Sequence, residues 1–120
     1  MKNQIYFLKT CDTCKKILNQ IEHLNWFELI EIKENSINHA QLEALYQKTS
    51  SYEKLFNKRA KLYKERDLKN MNLTENDFKN LILEHYTFLN RPVILFKDEI
   101  YIGNSSKTID VLMDHLANHE

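Results

Sequence analysis

The chain has 120 residues, enough for one domain with its own core and too few for two ordinary ones. A hydrophobic fraction of 42% beside 28% charged residues fits a soluble globular protein and excludes a disordered one. Lys plus Arg equals Asp plus Glu at 17 each, so the overall charge gives no pull toward nucleic acid or a membrane surface.

Read in chain order, "QIYFLK" (4–9) is rich in β-branched and aromatic residues and predicts a short strand. From Cys11 the period changes. Cys14, Ile17, Leu18, Ile21 and Leu24 form one stripe of an amphipathic helix, and Lys15, Lys16, Asn19, Gln20 and Glu22 take the other face. "WFELIEIK" (26–33) predicts a second strand, apolar on both faces and therefore interior to a sheet. A strand, helix, strand unit of this length favours a parallel, right-handed crossover.

Residues 37 to 90 contain no strand-like segment. Ile37, Ala40, Ala44 and Leu45 mark a helix after a Ser36 cap, and "SYEKLFNKRAKLYKER" suggests one or two short basic helices. In "TENDFKNLILEHYTFL", Thr74 and Asp77 stand at capping-box spacing, with Phe78, Leu81, Ile82 and Tyr86 on one face. "RPVILFKDEIYIGN" then reads as a hairpin around Lys97-Asp98-Glu99. "SSKTIDVLMDHLANH" closes as a helix with Ile109, Leu112, Met113 and Leu116 inward. The order is β-α-β, a helical insert, then β-β-α. This is the order of a thioredoxin-like (glutaredoxin-like) α/β fold with a four-stranded mixed sheet. One domain over 1–120 with an insert at about 37–90 is the expected organisation.

The chemistry concentrates at "LKTCDTCKKIL", which holds both cysteines of the chain. The N-terminus has no signal-peptide pattern and no apolar run approaches the roughly 20 residues of a membrane span. A cytoplasmic setting follows as an expectation, and a permanent disulfide staple is disfavoured there. A redox pair, half of a metal site and two inert thiols are the readings open at this point. Metal is weakened because zinc wants four ligands, and His23, His39, His85, His115 and His119 supply no second pair at knuckle spacing. In the redox reading, Cys11 opens the helix, where the dipole and free N–H groups favour a thiolate. Cys14 sits one turn in, shielded on the apolar stripe. Cys11 is then the attacking sulfur and Cys14 the resolving one, with Lys15 and Lys16 adding positive charge and Asp12 opposing it.

Three of the 17 cationic Lys and Arg residues are arginine: Arg59, Arg66 and Arg91. In "NRPVIL" Arg91 can present a bidentate fork to an oxyanion or a carboxylate, and Pro92 can adopt a cis peptide at the head of a strand. Arg59 lies in a basic cluster with Lys54, Lys58, Lys61 and Lys64, a solvated face or an anion-recognition element.

"TCDTCKK" after a strand, "LFNKRAKLYKE" in the insert and "NRPVILFKDEIYIGNSSKTIDVL" near the end resemble the ArsC/Spx/YffB family of thioredoxin-fold proteins. The likeness runs from about residue 4 to 116. It implies an arsenate reductase-like thiol oxidoreductase. Cys11 would match the nucleophile, and Arg59, Arg91 and Pro92 would match the substrate-binding positions. The third oxyanion-holding arginine of such reductases falls at Gly103 here, with Asn104 and Lys107 nearby. A resolving Cys14 is built in where those reductases rely on an external thiol. The substrate implied is an oxyanion such as arsenate, or a small disulfide. No bound cofactor is implied, and glutathione with glutaredoxin, or thioredoxin, would be the electron donor. Spx-like members of the family imply an alternative, a redox switch binding the C-terminal domain of the RNA polymerase α subunit.

Overall fold

The computed structural model describes residues 3–119; positions 1, 2 and 120 of the expected domain lie outside that range. The chain folds as two compact units, Met1–Glu31 with Arg91–Glu120, and Ile32–Asn90.

The first unit is built on a four-stranded sheet of β1 (Gln4–Phe7), β2 (Glu28–Glu31), β3 (Val93–Phe96) and β4 (Glu99–Ile102) in the order β2-β1-β3-β4. β1 runs parallel to β2 and antiparallel to β3, and β3 pairs antiparallel with β4. The mixed sheet is the one expected of a thioredoxin-like fold. β2 is nevertheless an edge strand, not an interior one. Glu28 and Leu29 are exposed, and only Ile30 and Glu31 are buried. Its apolar run misled because Trp26 belongs to a 3-10 turn (Leu24–Trp26) and Ile32 lies beyond the strand.

α1 (Asp12–Gln20) follows β1, and α6 (Ser106–Ala117) follows β4. Ile17 and Ile21 from the first helical segment and Ile109, Leu112 and Leu116 from α6 share one core with Ile5, Ile94, Phe96 and Tyr101 of the sheet. The pleat sends Tyr6, Val93 and Leu95 to the opposite face, where they are buried as well. The β3–β4 turn holds Lys97 at φ 56°, a left-handed position, and its N–H donates to Asn3 Oδ1 at 2.9 Å. Glu99 belongs to β4 instead of the turn.

The second unit holds α2 (His39–Thr49), α3 (Tyr52–Leu55), α4 (Lys61–Glu65) and α5 (Glu75–Glu84). Asn38, not Ser36, caps α2, and it shares a capping box with Gln41. Leu42 and Leu45 face inward, while Ala40 is exposed. The Thr74–Asp77 capping box of α5 forms as its spacing predicts. Tyr86 falls outside α5, in a 3-10 turn over Tyr86–Phe88. A stacked Phe56–Phe88 pair, 5.2 Å between centroids, and Phe78 fill the middle of this unit.

Candidate active site

β1 ends at Phe7, and a short turn delivers Cys11 to the N-cap of α1 with extended backbone, φ −89° and ψ 114°. The Cys11 N–H closes that turn on the Leu8 carbonyl at 3.0 Å, and the Lys15 N–H returns to the Cys11 carbonyl at 3.1 Å. No side chain closes the first turn of α1 with a capping hydrogen bond. Its N–H groups are left to the sulfur and to whatever binds there.

Both cysteines are free thiols, Cys11 half-buried and Cys14 only 1% exposed. Their environments pull them apart. Burial pushes the Cys11 thiol up, but the Cys14 N–H and thiol and the Arg91 guanidinium outweigh it, and the net direction is down. Burial dominates at Cys14 and, with the charge of Cys11 opposing a second thiolate, pushes it up to about 11 against the Leu8 backbone, which favours ionisation. One sulfur is thus held toward its thiolate and its neighbour toward its thiol.

The cation that favours the Cys11 thiolate comes from the far end of the unit. Lys15, Lys16 and Asp12, expected to tune it, are all exposed. Arg91 joins Pro92 through a cis peptide bond at the head of β3, and Pro92 is buried. The Pro92 carbonyl accepts the Gly103 N–H at 2.9 Å, so this turn is tied to the end of β4. Arg91 Nε and Nη1 are buried and have no hydrogen-bond partner among the described residues. Buried guanidinium nitrogens without partners are costly, and a guanidinium is suited to an oxyanion or a carboxylate. Gly103 stands at φ +84°, and a Cβ there would meet nothing within 4 Å, so the chain leaves open space at that position.

The structure therefore brings Cys11, Cys14 and Arg91 together, with Pro92 as the rigid neighbour of the arginine. Arg59 belongs to the second unit, exposed in the turn between α3 and α4 and not on a helix face. Its backbone N–H donates to Asn57 Oδ1 at 3.0 Å. Glu31 is a residue that the sequence reading passed over. It is the one charged side chain among the described buried residues, and its Oε2 accepts the Lys9 N–H at 2.8 Å. The signal was present, a lone carboxylate between Ile30 and Ile32, but the apolar character of the segment hid it. Among the described residues no group of three or more His, Cys, Asp and Glu could hold a metal ion, and no helix is long and apolar enough to cross a membrane.

Comparison with known proteins places the family and the fold. The chain is 25% identical over 108 residues to an arsenate reductase of Haemophilus influenzae, covering 88% of this chain and 93% of that one. Its fold is similar to that of an arsenate reductase from Vibrio cholerae, with a TM-score of 0.74 and 22% identity, covering 94% of this chain and 97% of the other. It is also similar in fold to an arsenate reductase (ArsC) related protein from Brucella melitensis, with a TM-score of 0.69 and 21% identity over 94% and 95% of the two chains. The model of the ArsC family matches residues 6–112. The chain belongs to the ArsC family.

Proposed function

We propose that the protein is a thiol-dependent reductase in which Cys11 is the nucleophile, Cys14 the resolving thiol and Arg91 the holder of an anionic substrate. The observation that carries this reading is a pair of buried, unpartnered guanidinium nitrogens of Arg91, whose charge acts on a cysteine held toward its thiolate. With arsenate, the Cys11 thiolate attacks arsenic and an arsenate hydroxyl, taking one proton from solvent, leaves as water, giving a thiol-linked adduct. Cys14 then attacks the Cys11 sulfur. The electron pair of the sulfur–arsenic bond returns to arsenic, the Cys14 proton goes to an arsenic-bound oxygen, and arsenite departs. The product is a Cys11–Cys14 disulfide, which two electrons and two protons from an external dithiol or two glutathiones restore. A small disulfide would be handled by the same pair of attacks, with one thiol leaving in place of water and the second in place of arsenite.

The state of Cys14 suits this order. A buried thiol opposed by the charge of Cys11 stays protonated until that charge is consumed in the adduct, which then makes it easier to ionise. Pro92 completes the proposed substrate-binding set as the support of Arg91. A reducing cytoplasm is the setting in which such a pair can be recycled.

The test is steady-state arsenate reduction with glutathione/glutaredoxin and with thioredoxin as donors, for wild type, Cys11→Ser and Cys14→Ser. Loss in both variants is the expected result. Full activity in Cys11→Ser would refute the assignment, and full activity in Cys14→Ser with glutathione would transfer the resolving role to an external thiol.

A further inference from the structure

Three successive backbone segments surround the two sulfurs. The Leu8 N–H faces Cys14, the Leu8 carbonyl accepts from the Cys11 N–H at 3.0 Å, and the Cys14 N–H faces Cys11. Leu8 is therefore bound into the placement of both thiols. The next residue, Lys9, lies beyond the Phe7–Glu31 pair that ends the β1–β2 ladder. Glu31 extends the ladder with its side chain. Its carboxylate reaches past the last pair and takes the Lys9 N–H at 2.8 Å.

A carboxylate only 8% exposed is expensive to bury, and its charge near a thiolate would oppose ionisation. Activation by charge cannot explain its presence. Reach does explain it: Oε2 meets the Lys9 N–H at 2.8 Å, a short hydrogen bond that a side chain of this length can make. We propose that Glu31 is a positioning residue, whose buried carboxylate holds the Leu8–Cys11 turn so that the two sulfurs keep the geometry in which Cys11 attacks and Cys14 follows. Nothing about Glu31 requires contact with substrate; it acts through the backbone of Lys9 and Leu8. The inference rests on the reading of Cys11 and Cys14 as a reactive pair.

Two variants separate reach from charge. Glu31→Gln keeps an acceptor oxygen at the same reach without the charge, and Glu31→Asp keeps the charge but withdraws the oxygen by one methylene. For each, Cys11 alkylation by iodoacetamide is followed across pH by mass spectrometry, and the Cys11–Cys14 disulfide is equilibrated against glutathione buffers. Glu31→Gln is expected to stay within about twofold of wild type, while Glu31→Asp alkylates Cys11 about fivefold more slowly at neutral pH. Glu31→Asp should also hold less disulfide at a given glutathione ratio. A wild-type profile in Glu31→Asp, or a loss in Glu31→Gln as large as in Glu31→Asp, would overturn the positioning role. A wild-type Cys11 that alkylates like an ordinary thiol would overturn the reactive-pair reading itself, so the two failures are distinguishable.

Discussion

The two units of the chain treat their polar groups in opposite ways. In Ile32–Asn90 side chains cap the N-terminal ends of α2, α3 and α5. Asn38 and Gln41 cap α2 reciprocally, Thr74 and Asp77 cap α5, and the Glu75 carboxylate accepts the N–H groups of Tyr52 and Glu53 at 2.7 and 3.1 Å. Asn90 Nδ2 donates to the Lys54 and Phe56 carbonyls in the same spirit. The sheet unit does the reverse where β1, α1 and β3 meet. Its first helix has no side-chain cap, two N–H groups of Arg91 are buried without a partner among the described residues, and a thiol is held toward its charged form. Hydrogen-bonding capacity left unused inside a fold lowers stability, and it persists where a ligand completes it. The contrast is the ground on which we propose that the chemistry lies in the sheet unit.

The contrast can be broken most directly at Cys11. Cys11→Ser should lower turnover of arsenate or of a small disulfide at least about a hundredfold, because a serine hydroxyl is neither ionised nor nucleophilic enough at neutral pH. Activity within a fewfold of wild type would remove the sheet unit's claim to the chemistry.

Arg91→Met separates function from stability. Removing the fork should lower kcat/KM for an oxyanion by about tenfold to a hundredfold and shift Cys11 alkylation to higher pH. The same change removes two unpaired buried donors, so the melting temperature should hold or rise. A clear fall in melting temperature with intact activity would show that Arg91 is a structural residue.

Stability differs between the units in a way that truncations sharpen. Leu112, fully buried in the sheet-unit core, should cost about 3 kcal/mol as Leu112→Ala, while Asn38→Ala at the α2 cap should cost about 1 kcal/mol. Urea unfolding measures both, and a reversed order would contradict the burial pattern.

The smallest effect is alkaline. The folded Cys14 pKa lies above its unfolded value, so the unfolded chain loses this proton first as pH rises. Its contribution is complete below about pH 9 and is lost progressively as pH climbs toward 11. Cys14→Ala should flatten that part of the stability profile, and an unchanged slope would assign the alkaline loss to other groups.

Much of the sheet unit was legible because its strands and helices are periodic. The stripe of Ile17 and Ile21, the hairpin and the final helix all follow from spacing. The Asp77 capping box was legible for the same reason, being a local pattern. What escaped was set by long-range pairing. β2 looks interior from composition, yet its place at the sheet edge depends on β3 pairing with β1 across the whole insert. At the site, the roles of the cysteines could be proposed from helix position alone, whereas the source of positive charge could not. Lys15 and Lys16 are neighbours in sequence, and Arg91 is a neighbour only after folding. Glu31 escaped because its partner is the backbone of Lys9, which no side-chain pattern announces.

The most direct test of the central claim is a single turnover without an external donor. Fully reduced protein is mixed with excess arsenate, and arsenite, free thiols and disulfide-linked peptides are measured on the same sample. The account predicts one arsenite released for each Cys11–Cys14 disulfide formed, with both thiols consumed together. Arsenite released while Cys14 remains a free thiol, or a Cys11–Cys14 pair left intact by arsenate and by small disulfides alike, would contradict it.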